Sequence, residues 1–246
     1  GMLQFWFAQN IFGDIGLSKK QQDRLPTNNS VSTTPEVSPI VQRDRYIVVG
    51  ILAFFTVFFW AAFEQAGTSL TLFADRNVDR FVGGWGKPAS NTQFFNPFFI
   101  IIFGVIFSAM WVKLSKIGKN PSIPMKFAYG IFQLGLGFLV TLIGLEFAED
   151  FKVPLLTLVF LYMLHTTGEL FLSPIGLSMV TKLSPKSIAG TAMGGWFLSF
   201  AMANYAAGYI ATFTGGESGE VLSLEEGLIK YTEVFSTIGF ALVAFA

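Results

Sequence analysis

The sequence contains no cysteine and a single histidine, His165. The first absence excludes disulfides, thiol chemistry and thiolate metal ligands. The second leaves too few donors for a histidine-rich metal centre, so no metal is expected. Charge is scarce as well: Asp, Glu, Lys and Arg make up 13% of the 246 residues, and the two signs cancel. A soluble domain normally carries about 25% charged residues. With no net charge there is no electrostatic footprint for a nucleic acid, and none is expected as a partner. No signal peptide is expected either, since Gly1-Met2-Leu3 leads straight into apolar residues without a basic n-region.

What the chain does contain is apolar surface. Hydrophobic residues make up 52% of it, including 29 Phe, and its mean hydropathy is +0.56. These values describe an all-α, multi-pass membrane protein whose main partner is the lipid bilayer. Residues 1–45 read as the end of a preceding helix or an interfacial segment, Leu3 to Phe12, followed by a polar linker rich in Ser, Thr, Asn and Pro. Residues 46–246 read as a bundle of six spans, at about 46–74, 93–114, 124–145, 154–183, 187–213 and 228–246. Glycines at 130, 135, 137 and 144 in the third span favour close helix contact.

Orientation follows from the loops. Eleven of the sixteen Lys and Arg residues fall in the segment before the first span and in the connections after the second and fourth. Five fall on the opposite side. The basic side is expected to be cytoplasmic, which places both ends of the chain there.

Polar groups within the spans carry the functional signal. A carboxylate at the centre of a membrane helix costs about 2.5–3.5 kcal/mol on insertion scales, and such residues usually mark a substrate or ion path. Glu64 lies in the first span, with Trp60 one turn before it and Thr68 one turn after. It is either an acid facing a wet cavity or an inward acid tying helices together. Asn96-Pro97 opens the second span and reads equally as a helix start or as a polar contact. The fourth span carries Gly168-Glu169-Leu170-Phe171-Leu172-Ser173-Pro174-Ile175-Gly176. Glu169 and Ser173 are one turn apart and share a face, and Pro174 removes a hydrogen bond beside them. His165, one turn before Glu169, is read as a hydrogen-bonded histidine at a helix interface. Gly194-Gly195-Trp196 in the fifth span is read as close packing around one space-filling indole.

Four stretches taken together resemble the proton-dependent oligopeptide transporter family of the major facilitator superfamily. They are Phe59-Trp60-Ala61-Ala62-Phe63-Glu64-Gln65-Ala66-Gly67-Thr68-Ser69, Gln93-Phe94-Phe95-Asn96-Pro97, Gly168 to Ser178, and Gly194-Gly195-Trp196-Phe197-Leu198. The resemblance covers about Tyr46 to the last residue and makes these spans the seventh to twelfth helices of a twelve-helix transporter, a six-helix C-terminal bundle. It implies proton coupling at Glu64 and Glu169. It implies peptide binding at Asn96, Glu169, Ser173, Trp60, Trp196 and Gln65, with Glu169 receiving the peptide's amino terminus. The implied activity is symport of di- and tripeptides with protons, at the cell membrane. No cofactor is implied beyond the coupling proton. Nothing here matches the family's N-terminal motifs, so the missing N-terminal half is an expected partner. The alternatives are transport of another small solute such as nitrate, a non-transporting fragment and, last, an intramembrane hydrolase using His165, Glu169 and Ser173. No enzymatic activity is expected.

Overall fold

Proline at the first turn of a helix costs nothing, since the N–H it lacks would have no helical partner there. The first rod, α1 (Pro39–Phe63), begins in this way. It starts before the expected boundary at Tyr46, because Gln42, Arg43 and Arg45 are good helix formers and extend the rod outward from the apolar part. The computed structural model describes residues 38–82, 85–86, 88–185, 188–215 and 222–246. The segment Leu3–Phe12 and the linker up to residue 37 lie outside the described residues.

The first span is not one continuous helix. It runs from α1 through a 3₁₀ turn, Glu64–Gly67, to α2 (Ser69–Asn77). The break is centred on Thr68, at φ −123° and ψ −102°. Its cause is local. Gly67 disfavours the helix, and Gln65, Thr68 and Ser69 offer the backbone side-chain partners that compete with helical bonding. The released carbonyls are taken up: Thr68 donates to Glu64 at 3.4 Å and Thr71 to Ala66 at 2.7 Å.

The other rods are α3 (Phe95–Lys116), α4 (Ile123–Glu146), α5 (Leu155–Leu183), α6 (Ala189–Thr212) and α7 (Leu224–Phe245). A 3₁₀ turn, Ala89–Phe94, leads into α3. The only described strands are short. β1 (Val78–Asp79) pairs in parallel with β4 (Val153–Pro154), Val78 opposite Val153, and β2 (Phe81–Val82) forms a hairpin with β3 (Trp85–Gly86). The last rod starts earlier than the expected 228. A complete capping box sets the start, with Ser223 accepting from the Glu226 N–H at 3.2 Å and Glu226 accepting from the Ser223 N–H at 2.9 Å.

Five rods are long and apolar enough to cross a membrane: 39–77, 89–116, 123–146, 155–183 and 224–245. The sixth, α6, has 24 residues and so a length of about 36 Å. It is less apolar because glycines, Asn204, Tyr205 and Tyr209 dilute its hydropathy.

Small residues hold the bundle together. Lipid tails are as apolar as leucine, so helices associate through close van der Waals contact. At the α4–α5 crossing, a Cβ on Gly130 would lie 2.8 Å from the Gly168 carbonyl oxygen, and one on Gly168 would lie 2.7 Å from that of Gly130. At the α4–α7 crossing, Gly135 and Gly239 stand in the same reciprocal relation, at 2.9 and 3.0 Å. Around α4 the fully buried Phe138 contacts Phe235 of α7, with ring centroids 5.6 Å apart, and His165 of α5 at 4.6 Å. Pro174 is accommodated inside α5 on its exposed side.

Candidate functional site

The break in the first span brings its polar residues against α3 and α5. Asn96 lies in the first turn of α3, but its side chain does not cap that helix. Its amide instead reaches across to α5, donating to Glu169 Oε2 at 3.1 Å and to Thr166 Oγ1 at 3.2 Å. Glu169 is half-buried and has one oxygen held by this bond. Glu64 lies on the 3₁₀ turn of the first span. A cleft of about 200 Å³ is lined by Phe63, Glu64, Gln93, Asn96, Tyr162 and His165, among others. One carboxylate, Glu64, and the amides of Gln93 and Asn96 thus line one recess, and Asn96 links it to Glu169, an arrangement suited to a cationic group or a proton.

Gln65 stands elsewhere. The resemblance implies a peptide contact, yet the side chain is fully buried. Its amide nitrogen donates to Ala61 O at 3.0 Å and, on α6, to Ala207 O at 3.2 Å. Its oxygen accepts from Ser69 at 2.6 Å. In this arrangement Gln65 ties the broken helix to α6 and does not face the cleft, because consecutive residues of a 3₁₀ turn point about 120° apart.

The two tryptophans differ from one another. Trp60 is half-buried among Phe63, Phe59 and Phe200, at 5.1, 5.6 and 5.0 Å between ring centroids. Trp196 is 4% exposed. It fills the space opposite Gly176, where a Cβ would come within 2.5 Å of its ring, which is the space-filling arrangement read from the sequence. Ser173 is half-buried on α5, one turn from Glu169.

The hydrolase arrangement is not assembled. His165 is 1% exposed and packs its ring on Gly137 and Phe138 of α4. Its polar neighbour is the backbone of Leu134 on α4, and among the described residues no His165–Ser173 or His165–Glu169 pair forms. Among the described residues no cluster of His, Asp and Glu could hold a metal ion. Three residues near the cleft escaped the sequence reading: Thr166, Tyr162 and Gln93. The signal for the first two was available, since they lie three and seven residues before Glu169 on one helical face.

A family model described as the POT family matches residues 17–223. The chain belongs to the POT family. Dipeptide and tripeptide permease B of Salmonella typhimurium (strain LT2) is 35% identical to it over 204 residues, covering 82% of this chain and 41% of the permease. An uncharacterized transporter, YclF, of Bacillus subtilis (strain 168) is 40% identical over 147 residues, covering 60% of this chain and 30% of that protein. Among solved structures, a peptide transporter POT in complex with sulfate superposes with a TM-score of 0.69 at 33% identity, covering 86% of this chain and 42% of the other. A mutant of peptide transporter POT in complex with alafosfalin gives 0.69 at 32% identity. The chain thus spans about two fifths of the length of these POT relatives. Membership confirms the resemblance on which the fold class rested, and this POT chain is an all-α, multi-pass membrane protein.

Proposed function

We propose that this chain forms the C-terminal half of a proton-coupled symporter that imports di- and tripeptides by alternating access, one half rocking against the other. The observation that carries the reading is the bond from Asn96 to Glu169 beside the Glu64 cleft. A peptide ammonium needs a carboxylate and neutral acceptors. Glu169 supplies the first, with one oxygen already oriented by α3, and Asn96 and Thr166 supply neutral oxygens beside it. Varied side chains need broad apolar walls, to which Trp60 contributes directly and Ser173 adds a hydroxyl, while Trp196 supports α5 from behind. Permease relatives that act on dipeptides and tripeptides agree with this chemistry.

Coupling would reside in the two acids. A proton on either acid would remove the repulsion between two like charges. The coupling ion is the proton, and no organic or metal cofactor belongs to the reading. The excess of Lys and Arg on one side orients the bundle with both ends of this chain cytoplasmic, in the cell's plasma or inner membrane.

The test is dipeptide uptake into proteoliposomes driven by an inward proton gradient, with this chain joined to its N-terminal half. Glu169→Gln removes a charge-assisted contact worth about 1.5–3 kcal/mol, so uptake at low peptide should fall roughly ten- to a hundredfold. Uptake unaffected by that change, or competed by nitrate and not by peptides, would overturn the reading.

A further inference from the structure

The turn that leads into α3 is gripped on two sides. Toward α5, Asn96 donates to Thr166 and Glu169, and the buried Thr92 stands beside the Tyr162 hydroxyl. Tyr162, Thr166 and Glu169 are spaced four and three residues apart, on one face of α5. Toward the first span, Gln93 donates to Thr71 Oγ1 at 3.0 Å and, at the longer distance of 3.5 Å, to Ala66 O. Thr71 donates in turn to Ala66 O at 2.7 Å. Its one hydrogen therefore goes to Ala66 while a lone pair accepts from Gln93. Ala66 lies in the 3₁₀ turn, two residues after Glu64. The peptide-binding reading uses Asn96 but gives no role to Gln93 or Thr71. Gln93 lines the cleft and Thr71 does not.

We propose that Gln93 and Thr71 are positioning residues. Together with Asn96 they make the entry of α3 a bridge that fixes the turn carrying Glu64 relative to the helix carrying Glu169. Hydrogen bonds within a 3₁₀ turn have poorer geometry than those of an α-helix, so such a turn holds its place best when outside groups grip it. Gln65 anchors this one on α6, and the clasp of Gln93 and Thr71 is its tie to α3. Gln93 and Asn96 are one turn apart on the same short element. A peptide ammonium that competes with Asn96 for Glu169 therefore shifts Gln93 as well, and the shift reaches the Glu64 turn through Thr71 and the Ala66 carbonyl. Peptide occupancy at one acid is thereby felt at the other through hydrogen-bonded backbone. This transmission rests on the symport reading above, whereas the clasp itself does not.

Two measurements on the full-length transporter test this. The first is amide hydrogen exchange of the purified protein, read by mass spectrometry with no transport required. Thr71→Val keeps the shape of the side chain and removes its hydroxyl. It should speed exchange about three- to tenfold, the weight of one hydrogen bond, both around residues 64–72 and across the clasp in residues 89–96. Gln93→Leu should do the same from the other side, and Thr71→Ser, which keeps the hydroxyl, should return both segments to the wild-type rate. Faster exchange in the substituted segment alone, or in neither, overturns the bridge. The second is dipeptide uptake by the same variants. Thr71→Val and Gln93→Leu should each lower kcat/KM by a similar factor, about three- to tenfold, and the double variant should fall no further, because each change breaks the same clasp. A raised KM for Gln93→Leu with Thr71→Val unchanged would make Gln93 a peptide contact and overturn the positioning role, and so would losses that multiply in the double variant. If the wild type takes up no peptide at all, the symport reading and the transmission built on it fall together, while exchange still decides the clasp.

Discussion

Replacing Gln65 by leucine should separate a structural role from a peptide-binding one. The two side chains are similar in volume, so the change removes hydrogen bonds with little change in packing. The bond lost between helices is the one from Gln65 to Ala207 O at 3.2 Å. Such bonds average about 0.6 and reach about 1.7 kcal/mol in membrane proteins. The Ser69 hydroxyl, fully buried and donating to Gln65 at 2.6 Å, also loses its acceptor. An orphaned buried donor costs about 1–3 kcal/mol. Together these give an expected destabilisation of about 2–4 kcal/mol for Gln65→Leu. The assay is reversible unfolding of the full-length transporter in mixed micelles with a denaturing detergent. Adding Ser69→Ala should recover the share due to the orphaned hydroxyl, since removing both partners of a bond is often nearly neutral. A Gln65→Leu protein with unchanged stability and a raised KM for dipeptide would refute the argument, because that is the signature of a residue touching substrate.

Three further outcomes follow from other contacts. Gly168→Ala should sharply reduce the folded yield in detergent, because its methyl would stand 2.7 Å from the Gly130 carbonyl and drive α4 from α5. Normal yield with unchanged unfolding would contradict the close crossing. Trp196→Ala should cost about 3–5 kcal/mol of stability in the same unfolding assay, since the indole is buried against Gly176 and leaves a cavity when removed. Asn96→Ala frees the bound oxygen of Glu169, so the KM for dipeptide uptake should rise several-fold while unfolding shifts by less than about 1.5 kcal/mol. A large loss of stability with unchanged KM would instead make Asn96 a helix tie.

Much of the architecture was legible in the chain itself. The long apolar runs with few charges marked the spans, because a membrane requires about twenty apolar residues in a row and no other environment does. The boundaries were less visible. Pro39 and the Ser223–Glu226 box were start signals in plain view, but the polar residues between Pro39 and Tyr46 looked like linker because hydropathy does not register helix propensity. The break at Thr68 was also invisible to hydropathy, since an interrupted span is as apolar as an intact one. Glu64, Asn96 and Glu169 were legible as site candidates by depth and by motif. Gln65, adjacent to Glu64 in the same motif, was not separable from them, because adjacency in sequence does not say which way a turn faces.

The sequence by itself therefore determined that this is an all-helical membrane chain of the POT family, with acids placed deep in its first and fourth spans. Those conclusions depend on local composition and on short motifs, which a chain carries whether or not it is folded. Only the tertiary structure decided that Asn96 reaches Glu169 across 3.1 Å and not its own helix end, that Gln65 is consumed in holding α6, and that the buried His165 and Tyr162 line the recess beside Glu64. Each of these depends on how one helix is rotated and how closely it approaches another. Here that is set by glycine crossings between residues far apart in the chain, such as Gly130 with Gly168 and Gly135 with Gly239.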